Sequence, residues 1–380
     1  MKNKFYLLVI SLLLIPIIGF SQATLLNLPF SPNGTVYCQK QVGNTLYVGG
    51  NFTSVDVNSG SLVGINLANP NVTVPMPTVN GLIYTIVSDG TGGFFIGGSF
   101  TTVGGLPRKN FARITSTMSV HSMDLGFDNI VKKIVTHSGK AYVVGNFNNA
   151  VVNNVNQPRS RIACINIATN TLNAWTGMLT NPIINDAVII NNKLYIGGKI
   201  MYSGTNRALL AYNLSLTNPT IISTGIQNIL QGGTTNNAII TSLVATSNNQ
   251  LYFGGTFDKV TGQNRTNVAG IDAISSALIS TNMVLNNTVN SLAWYNNVLY
   301  VAGYFTTVNG GSKPRLFAYN TSSNSLFTWT PNPNSTVSKI GVQGGSLWVS
   351  GNFTNISTSP KTNFAVYTLS TSIFTSPVLN

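Results

Sequence analysis

Leu46-Tyr47-Val48-Gly49-Gly50-Asn51-Phe52 sets bulky apolar residues against two glycines and closes on Gly-x-Phe. The same order of residue types returns as Phe94 to Phe100, Ala141 to Phe147, Leu194 to Ile200, Leu251 to Phe257, Leu299 to Phe305 and Leu347 to Phe353. The last glycine of each copy falls at Gly50, Gly98, Gly145, Gly198, Gly255, Gly303 and Gly351, in steps of 47 to 57 residues. A period this regular over nearly the whole chain marks a repeat architecture. It overrides the two or three domains that 380 residues would otherwise suggest.

Three further strand-like runs flank each copy. Upstream, an Asn or Asp precedes Val or Ile by three residues, as in Asn33…Val36, Asn80…Ile83, Asp128…Val131, Asn286…Val289 and Asn334…Val337. Such a residue at a turn ordinarily bonds its own backbone two residues on. Downstream, runs end in pairs such as Ile65-Asn66, Tyr212-Asn213 and Tyr319-Asn320, and a polar turn leads to a last segment such as Leu326-Phe327-Thr328-Trp329. Four short β runs per repeat, here called A to D, make an antiparallel meander. One such sheet cannot bury both faces alone, whereas seven packed radially can. The expected fold is all-β: a seven-bladed β-propeller of four-stranded antiparallel blades over residues 22–380. The small residues Gly49, Gly97, Gly197, Gly254 and Ala302 suit close approach of neighbouring sheets, and Gly303→Val is expected to crowd the next blade. Residues 25–36 align without a gap on 326–337, so the N-terminus starts with a D-type strand that would close the ring in the last blade. Ser372 to Pro377 is also D-like and competes for that place.

The motif Leu-Tyr-Val-Gly-Gly-Asn-Phe-Thr-Ser-Val (46–55), with Arg and Ala a few residues on in most copies, resembles the delta-60-type and Rax2-like cell-surface propeller repeats. The likeness spans essentially residues 25–380. It implies a propeller at a cell surface and brings no catalytic residues. The fourth copy departs at Lys199-Ile200, and the first lacks the Arg.

Residues 1–21 read as a secretory signal peptide: Lys2 and Lys4, an apolar run from Phe5 to Ile18, then Gly19-Phe20-Ser21 before Gln22. The run is short for a membrane span and no later segment resembles one, so a soluble, exported monomer is expected, secreted, periplasmic or at the cell surface. The nearest cysteine to the cleavage point is Cys38, which argues against a lipid anchor there. Cys38 and Cys164 fall in the first and third repeats, too far apart for a disulfide, and read as buried thiols. Lys and Arg number 20 against 7 acids, all aspartate, for a net charge of +13. Export and the scatter of these cations argue against nucleic acid as a partner; an anionic membrane face or an acidic polysaccharide remains. The amide- and hydroxyl-rich loops fit either a compositional preference for Asn or a surface that handles carbohydrate.

In a meander, the B–C and D–A loops share one face. That face collects Arg108, Arg161, Arg207, Arg265 and Arg315 at the start of C, either capping loop carbonyls or forming a cationic rim. Two connections on it are long, 150–160 and 225–236, the latter carrying Gln227 and Gln231. The candidate binding residues are therefore Arg161, Arg207, Arg265, Arg315, Gln227 and Gln231, with Asp186 on an inner strand as the most site-like acid. His121 and His137 are the only histidines, and no calcium loop, phosphate loop or nucleophile elbow occurs, so no cofactor, metal or catalytic residue is assigned. The leading reading is a non-enzymatic propeller binding a glycan, an anionic polysaccharide or an envelope protein. A glycan-active hydrolase or lyase near Asp186 would need a second carboxylate beside it. A purely structural envelope module is the third reading.

Overall fold

The computed structural model describes residues 23–25, 32–55, 60–66, 69, 73–177, 179, 182–224, 226, 228–235, 237–281 and 283–369. The leader 1–21, Gln227, Asp56 and the segment Ser372 to Pro377 lie outside the described residues. The described chain is all-β, without a helix.

Each copy of the motif is the B strand of one antiparallel sheet. The A strands are Thr35–Val42, Leu82–Ser88, Val131–His137, Ile183–Ile190, Ile239–Ala245, Val289–Tyr295 and Val337–Gln343. The B strands are Thr45–Asn51, Phe94–Ser99, Lys140–Gly145, Lys193–Tyr202, Gln250–Thr256, Val298–Gly303 and Ser346–Gly351. The C strands are Leu62–Asn66, Phe111–Ile114, Ile162–Asn166, Thr205–Asn213, Val268–Asp272, Leu316–Asn320 and Phe364–Thr368. Within every sheet the order is A-B-C. Each A strand packs against the next, and the seventh packs against the first.

The fourth strand is shorter than the sequence suggests. It is Ser325–Leu326 in the sixth sheet, and the second and fifth keep only the single bridges Ile114↔Val120 and Ile271↔Leu278. The chain leaves the sheet early because the next bulky residues turn inward. Trp329 meets Tyr300 and Tyr367 edge-on, and Trp175 does the same with Tyr142 and Tyr212. Each tryptophan thus joins one sheet to the next. In the seventh sheet the fourth place is taken by Thr24–Leu25, with Leu25 opposite Tyr367 as Leu326 stands opposite Tyr319.

The hydrophobic core is divided. Its seven clusters each lie between two consecutive sheets; the one between the seventh and first joins Val36, Leu46, Val48 and Phe52 to Trp348, Phe364 and Val366. The Phe of Gly-x-Phe, or Ile200 in its place, is buried in every copy. At about 1.5–3 kcal/mol per buried large side chain, these interfaces are the main favourable term.

The two glycines of the motif do different work. A Cβ on Gly97 would lie 2.4 Å from Val131 Cγ1 and one on Gly254 2.4 Å from Val289 Cγ1, both side chains of the following sheet. A Cβ on Gly303 would instead lie 2.2 Å from the carbonyl oxygen of Thr288, just before the A strand of its own sheet. The clash at Gly303 is therefore with its own blade's backbone and not with the neighbour. The cause is a register shift in every A strand, between Val36 and Cys38, Ile83 and Thr85, Val131 and Lys133, and at the equivalent positions of the other four. This β-bulge presses the start of A onto the second glycine.

Both cysteines are buried free thiols, pushed up to about 12 at Cys38 and about 11 at Cys164, chiefly by burial.

Candidate functional site

The B–C connections are not open loops. In five sheets they fold into small hairpins, such as Thr102–Val103 with Leu106–Pro107 and the longer Asn149–Val152 with Val155–Pro158. In the fourth copy, where Lys199-Ile200 departs from the motif, B and C continue as one long hairpin. In several sheets the entering D–A segment docks on the B–C connection: Leu125–Phe127 pairs with Ala150 to Val152, and Val79 and Leu285 bridge Val103 and Val308. The long 225–236 connection is tied down in this way, through Ile229–Leu230 pairing with Lys259–Val260.

The Asn/Asp ring reaches across rather than back. Asn334 Oδ1 accepts from the amides of Thr354 (2.9 Å) and Asn355 (3.0 Å), while its Nδ2 donates to Thr354 Oγ1 at 2.8 Å. Asn33, Asn80 and Asn286 make the same three bonds to their own B–C connections. Asp128 repeats the pattern with Asn149 Nδ2 as donor. The residue bonds about twenty positions on because the bulged A strand starts beside the end of B. In the fifth sheet Asp258 fixes the long connection, accepting from Gly232 N at 2.8 Å.

The arginines occupy two distinct positions. Arg108, Arg159, Arg265 and Lys313 share one. Arg108 Nη2 donates to His121 O, Arg159 Nη2 to Asn173 O, and Lys313 Nζ to Phe327 O and Trp329 O, all between 2.7 and 3.1 Å. These cations cap carbonyls of the chain leaving C. Arg265 departs from the rule, donating to Asn264 O and Gln263 Oε1 beside it. Arg161 and Arg315 stand two residues further on, at φ of 66° and 63°, where the other sheets place Asn110, Asn267 and Asn363. Arg161 Nη1 donates to Asn146 O. Arg207 is half-buried opposite Ile200, and Gln231 exchanges backbone hydrogen bonds with Thr234.

Large apolar side chains cluster on this face. Leu106, Val155, Ile183, Met201, Leu216, Ile274, Val284 and Tyr304 are the exposed ones among the described residues. Leu106, Val155, Met201 and Tyr304 lie in B–C connections, and Ile183 and Val284 at D–A entries. Only Leu216 and Ile274 belong to C–D turns at the other end.

A central cavity of about 510 Å³ is lined by all seven A strands. Asp186 is its only acidic lining residue, against Lys40, Lys132, Lys133 and Lys339. The residue just after each bulge is Cys38, Thr85, Lys133, Asp186, Ser242, Ser291 or Lys339. In most sheets it joins one blade to the next. Thr85 Oγ1 accepts from Ile134 N, Asp186 Oδ2 from Leu243 N, Ser242 Oγ from Leu292 N and Ser291 Oγ from Ile340 N, at 2.9 to 3.3 Å. Lys133 Nζ lies 3.0 Å from Asp186 Oδ1. Burial alone would push the Asp186 carboxyl up; Lys133, Lys339 and the Leu243 amide outweigh it and hold it below the usual carboxylate range. Asp186 therefore sits with ammonium groups, and no second carboxylate lines the cavity as a two-carboxylate hydrolase requires.

A second ion pair, Arg113–Asp89 at 2.7 Å, lies away from the cavity, and Arg113 also donates to Ile167 O of the third repeat. A second cleft, about 420 Å³, is lined by His121, Asp124 and their neighbours. His121 Nδ1 accepts from Met123 N at 3.0 Å, and burial, with Arg113 nearby, lowers its affinity for a proton. Among the described residues no three His, Cys, Asp or Glu side chains gather as a metal site would need, and no helix is long and apolar enough to cross a membrane.

Asp186 stands out in the sequence as an isolated acid on an inner strand, whereas Lys133 and Lys339 do not. Their signal is a polar doublet at a fixed distance before the second glycine: Lys132-Lys133, Asn185-Asp186 and Ser338-Lys339 interrupt an apolar inner strand.

No protein-family model matches the sequence, and no curated protein matches it. Solved structures do. The WD40 beta propeller domain of Doa1 is similar at a TM-score of 0.58 and 11% identity, covering 93% of this chain and 98% of that one. The computationally designed Ika8 protein gives 0.55 and 10%, over 92% and 100% of the two chains. The extracellular domain of the putative one component system BT4673 from B. thetaiotaomicron gives 0.55 and 14%, covering 92% of this chain but 40% of that one. At these identities the likeness shows the fold alone: the chain is a β-propeller.

Proposed function

We propose that the chain is an exported, non-enzymatic propeller that binds a surface ligand through its B–C/D–A face. The ligand class is a glycan or anionic polysaccharide, with an envelope protein as the other candidate. The observation that carries the reading is the exposed apolar set, Leu106, Val155, Ile183, Met201, Val284 and Tyr304, concentrated on the face that also bears Arg207, Arg265, Arg315 and Gln231. A rigid scaffold of hairpins offering apolar contacts between cations suits recognition of a polyhydroxylated anion. Arg108, Arg159 and Lys313 are committed to backbone carbonyls, which leaves the arginines of the fourth to sixth sheets as the rim.

The same proposal takes the ring to have seven blades and to be closed by the N-terminal strand. The pairing of Thr24–Leu25 with Phe364–Thr368 and the packing of the seventh A strand on the first support it. Export rests on the leader 1–21, and the cell-surface setting on the likeness to delta-60-type and Rax2-like repeats. The mature protein is taken to be a monomer starting at Gln22, which N-terminal sequencing of exported material tests.

The binding reading is tested on a glycan array with residues 22–380 beside the triple variant Arg207→Ser, Arg265→Ser, Arg315→Ser. Saturable binding to acidic glycans that the variant loses supports it. A folded protein that binds none of them overturns the glycan reading and redirects the search to protein partners.

A further inference from the structure

Six of the seven post-bulge residues are accounted for by packing between blades. Thr85, Ser242 and Ser291 accept a neighbour's amide, Cys38 donates to Gly49 O and Ile83 O, and Lys133 pairs with Asp186. Lys339 is the exception. Among the described residues no carboxylate lies within 4 Å of its ammonium. Its side chain nonetheless lines the central cavity, where burial lowers its proton affinity, Asp186 pulls the other way and Lys133 adds to the lowering. A chain built only for stability would place a serine there, as the fifth and sixth sheets do with Ser242 and Ser291.

The rest of the cavity wall is rich in donors. Four lysines, Lys40, Lys132, Lys133 and Lys339, stand against one aspartate. At the mouth nearest the B–C/D–A face, the bulged residues divide into two kinds. Asn185 and Asn290 donate to the carbonyls of Ile240 and Val337 in the next A strands. Tyr37, Tyr84 and Lys132 instead form a ladder, with Tyr37 and Tyr84 stacked at 5.2 Å and Lys132 Nζ 4.3 Å from the Tyr84 ring centre. One side of the mouth is thus aromatic and cationic.

We propose that the central cavity binds a small oxyanion between Lys339 and Lys133, entering past the Tyr37–Tyr84–Lys132 ladder. Asp186 already neutralises one of the two inner ammonium groups, so the complement is a single negative group that Lys339 can receive. A volume of about 510 Å³ admits a molecule of monosaccharide size. Two sources supply the chemistry: the carboxylate of an acidic sugar, whose ring would lie on the tyrosines, and free phosphate. The site does not rest on the rim reading above and would stand if the glycan array were blank.

Isothermal titration of residues 22–380 with glucuronate, inorganic phosphate and glucose tests it, beside Lys339→Met. Melting temperatures of both proteins confirm that each is folded. One-to-one binding of glucuronate or phosphate, weakened about tenfold or more in Lys339→Met, supports the site. Preference for glucuronate then names the sugar acid, and preference for phosphate the free ion. Absence of binding by either anion, glucose binding as tightly as glucuronate, or unchanged affinity in Lys339→Met overturns it.

Discussion

Lys133 of the third sheet and Asp186 of the fourth meet at 3.0 Å in the wall of the central cavity, in positions where other sheets join through a neutral Thr or Ser. The carboxylate serves both sheets beside its own: its second oxygen accepts from Leu243 N of the fifth at 2.9 Å. Three consecutive blades therefore depend on one side chain that is 2% exposed.

Replacing Asp186 should separate its charge from its hydrogen bonds. Asp186→Asn keeps an acceptor for Leu243 and loses the ion pair, at a cost of about 1–2 kcal/mol, since Lys133 retains access to water. Asp186→Leu also orphans the buried amide and should cost about 3–5 kcal/mol. Equal losses in denaturant titrations of the two variants would contradict this division.

The acid side of the stability profile follows from the same residue. Asp186 and Asp89 are both held below their ordinary range; at Asp89 burial is outweighed by Thr91 and Arg113. A carboxylate with a depressed folded value contributes stability that is complete above its unfolded value, about 3.9, and is lost as pH falls through the folded one. Melting temperature should therefore hold down to about pH 4 and fall below it. Asp186→Asn should flatten that fall, and an unchanged acid limb would count against the pair.

Lys339→Met should raise the melting temperature at neutral pH. It removes a desolvated ammonium that faces Lys133 and has no carboxylate of its own within 4 Å. The gain should shrink as pH rises into the alkaline range, where the wild-type lysine sheds its proton at a value below that of the unfolded chain. A destabilised variant would show Lys339 to be a structural residue.

Asn334→Ala removes all three bonds that clamp the last B–C connection and should cost about 1–3 kcal/mol. Asn334→Asp should be close to neutral, because Thr354 Oγ1 can turn its hydroxyl proton toward the new oxygen, much as Asp128 already works in the third sheet. Loss of stability by the Asp variant matching that of Ala would argue that the amide N–H carries the clamp.

Gly303→Ala should cost about 3 kcal/mol or more, since a Cβ there would lie 2.2 Å from a backbone oxygen that cannot rotate away. The milder test is Ala302→Gly, which faces the neighbouring sheet and should lose about 1 kcal/mol. A Gly303→Ala protein as stable as wild type would remove the bulge from the account.

The repeat made the fold legible, because seven returns of Gly-x-Phe leave little freedom in how the sheets follow one another. Leu25 shows how far the pattern reached: it stands opposite Tyr367 as its aligned counterpart Leu326 stands opposite Tyr319. What escaped were features that leave no mark in composition. A one-residue bulge shifts pairing without changing the apolar pattern, so the reason for Gly303 and the reach of Asn334 were both misread. The D strand was overdrawn because Phe327 and Trp329 read as strand residues but turn into the core. The arginines looked equivalent because a two-residue offset, Arg159 against Arg161, is invisible until φ separates the positions. Lys339 was missed because a single lysine carries meaning only once six other strands are seen to place their equivalents beside it.

The central claim is that binding occurs on the B–C/D–A face, and amide hydrogen exchange tests it most directly. Residues 22–380 would be followed with and without the glycan selected on the array. The account predicts slowed exchange in the B–C hairpins of the fourth to sixth sheets and in 228–235. Protection confined to the A–B and C–D turns, around His137, Leu216 and Ile274, would place the ligand on the opposite face and contradict it.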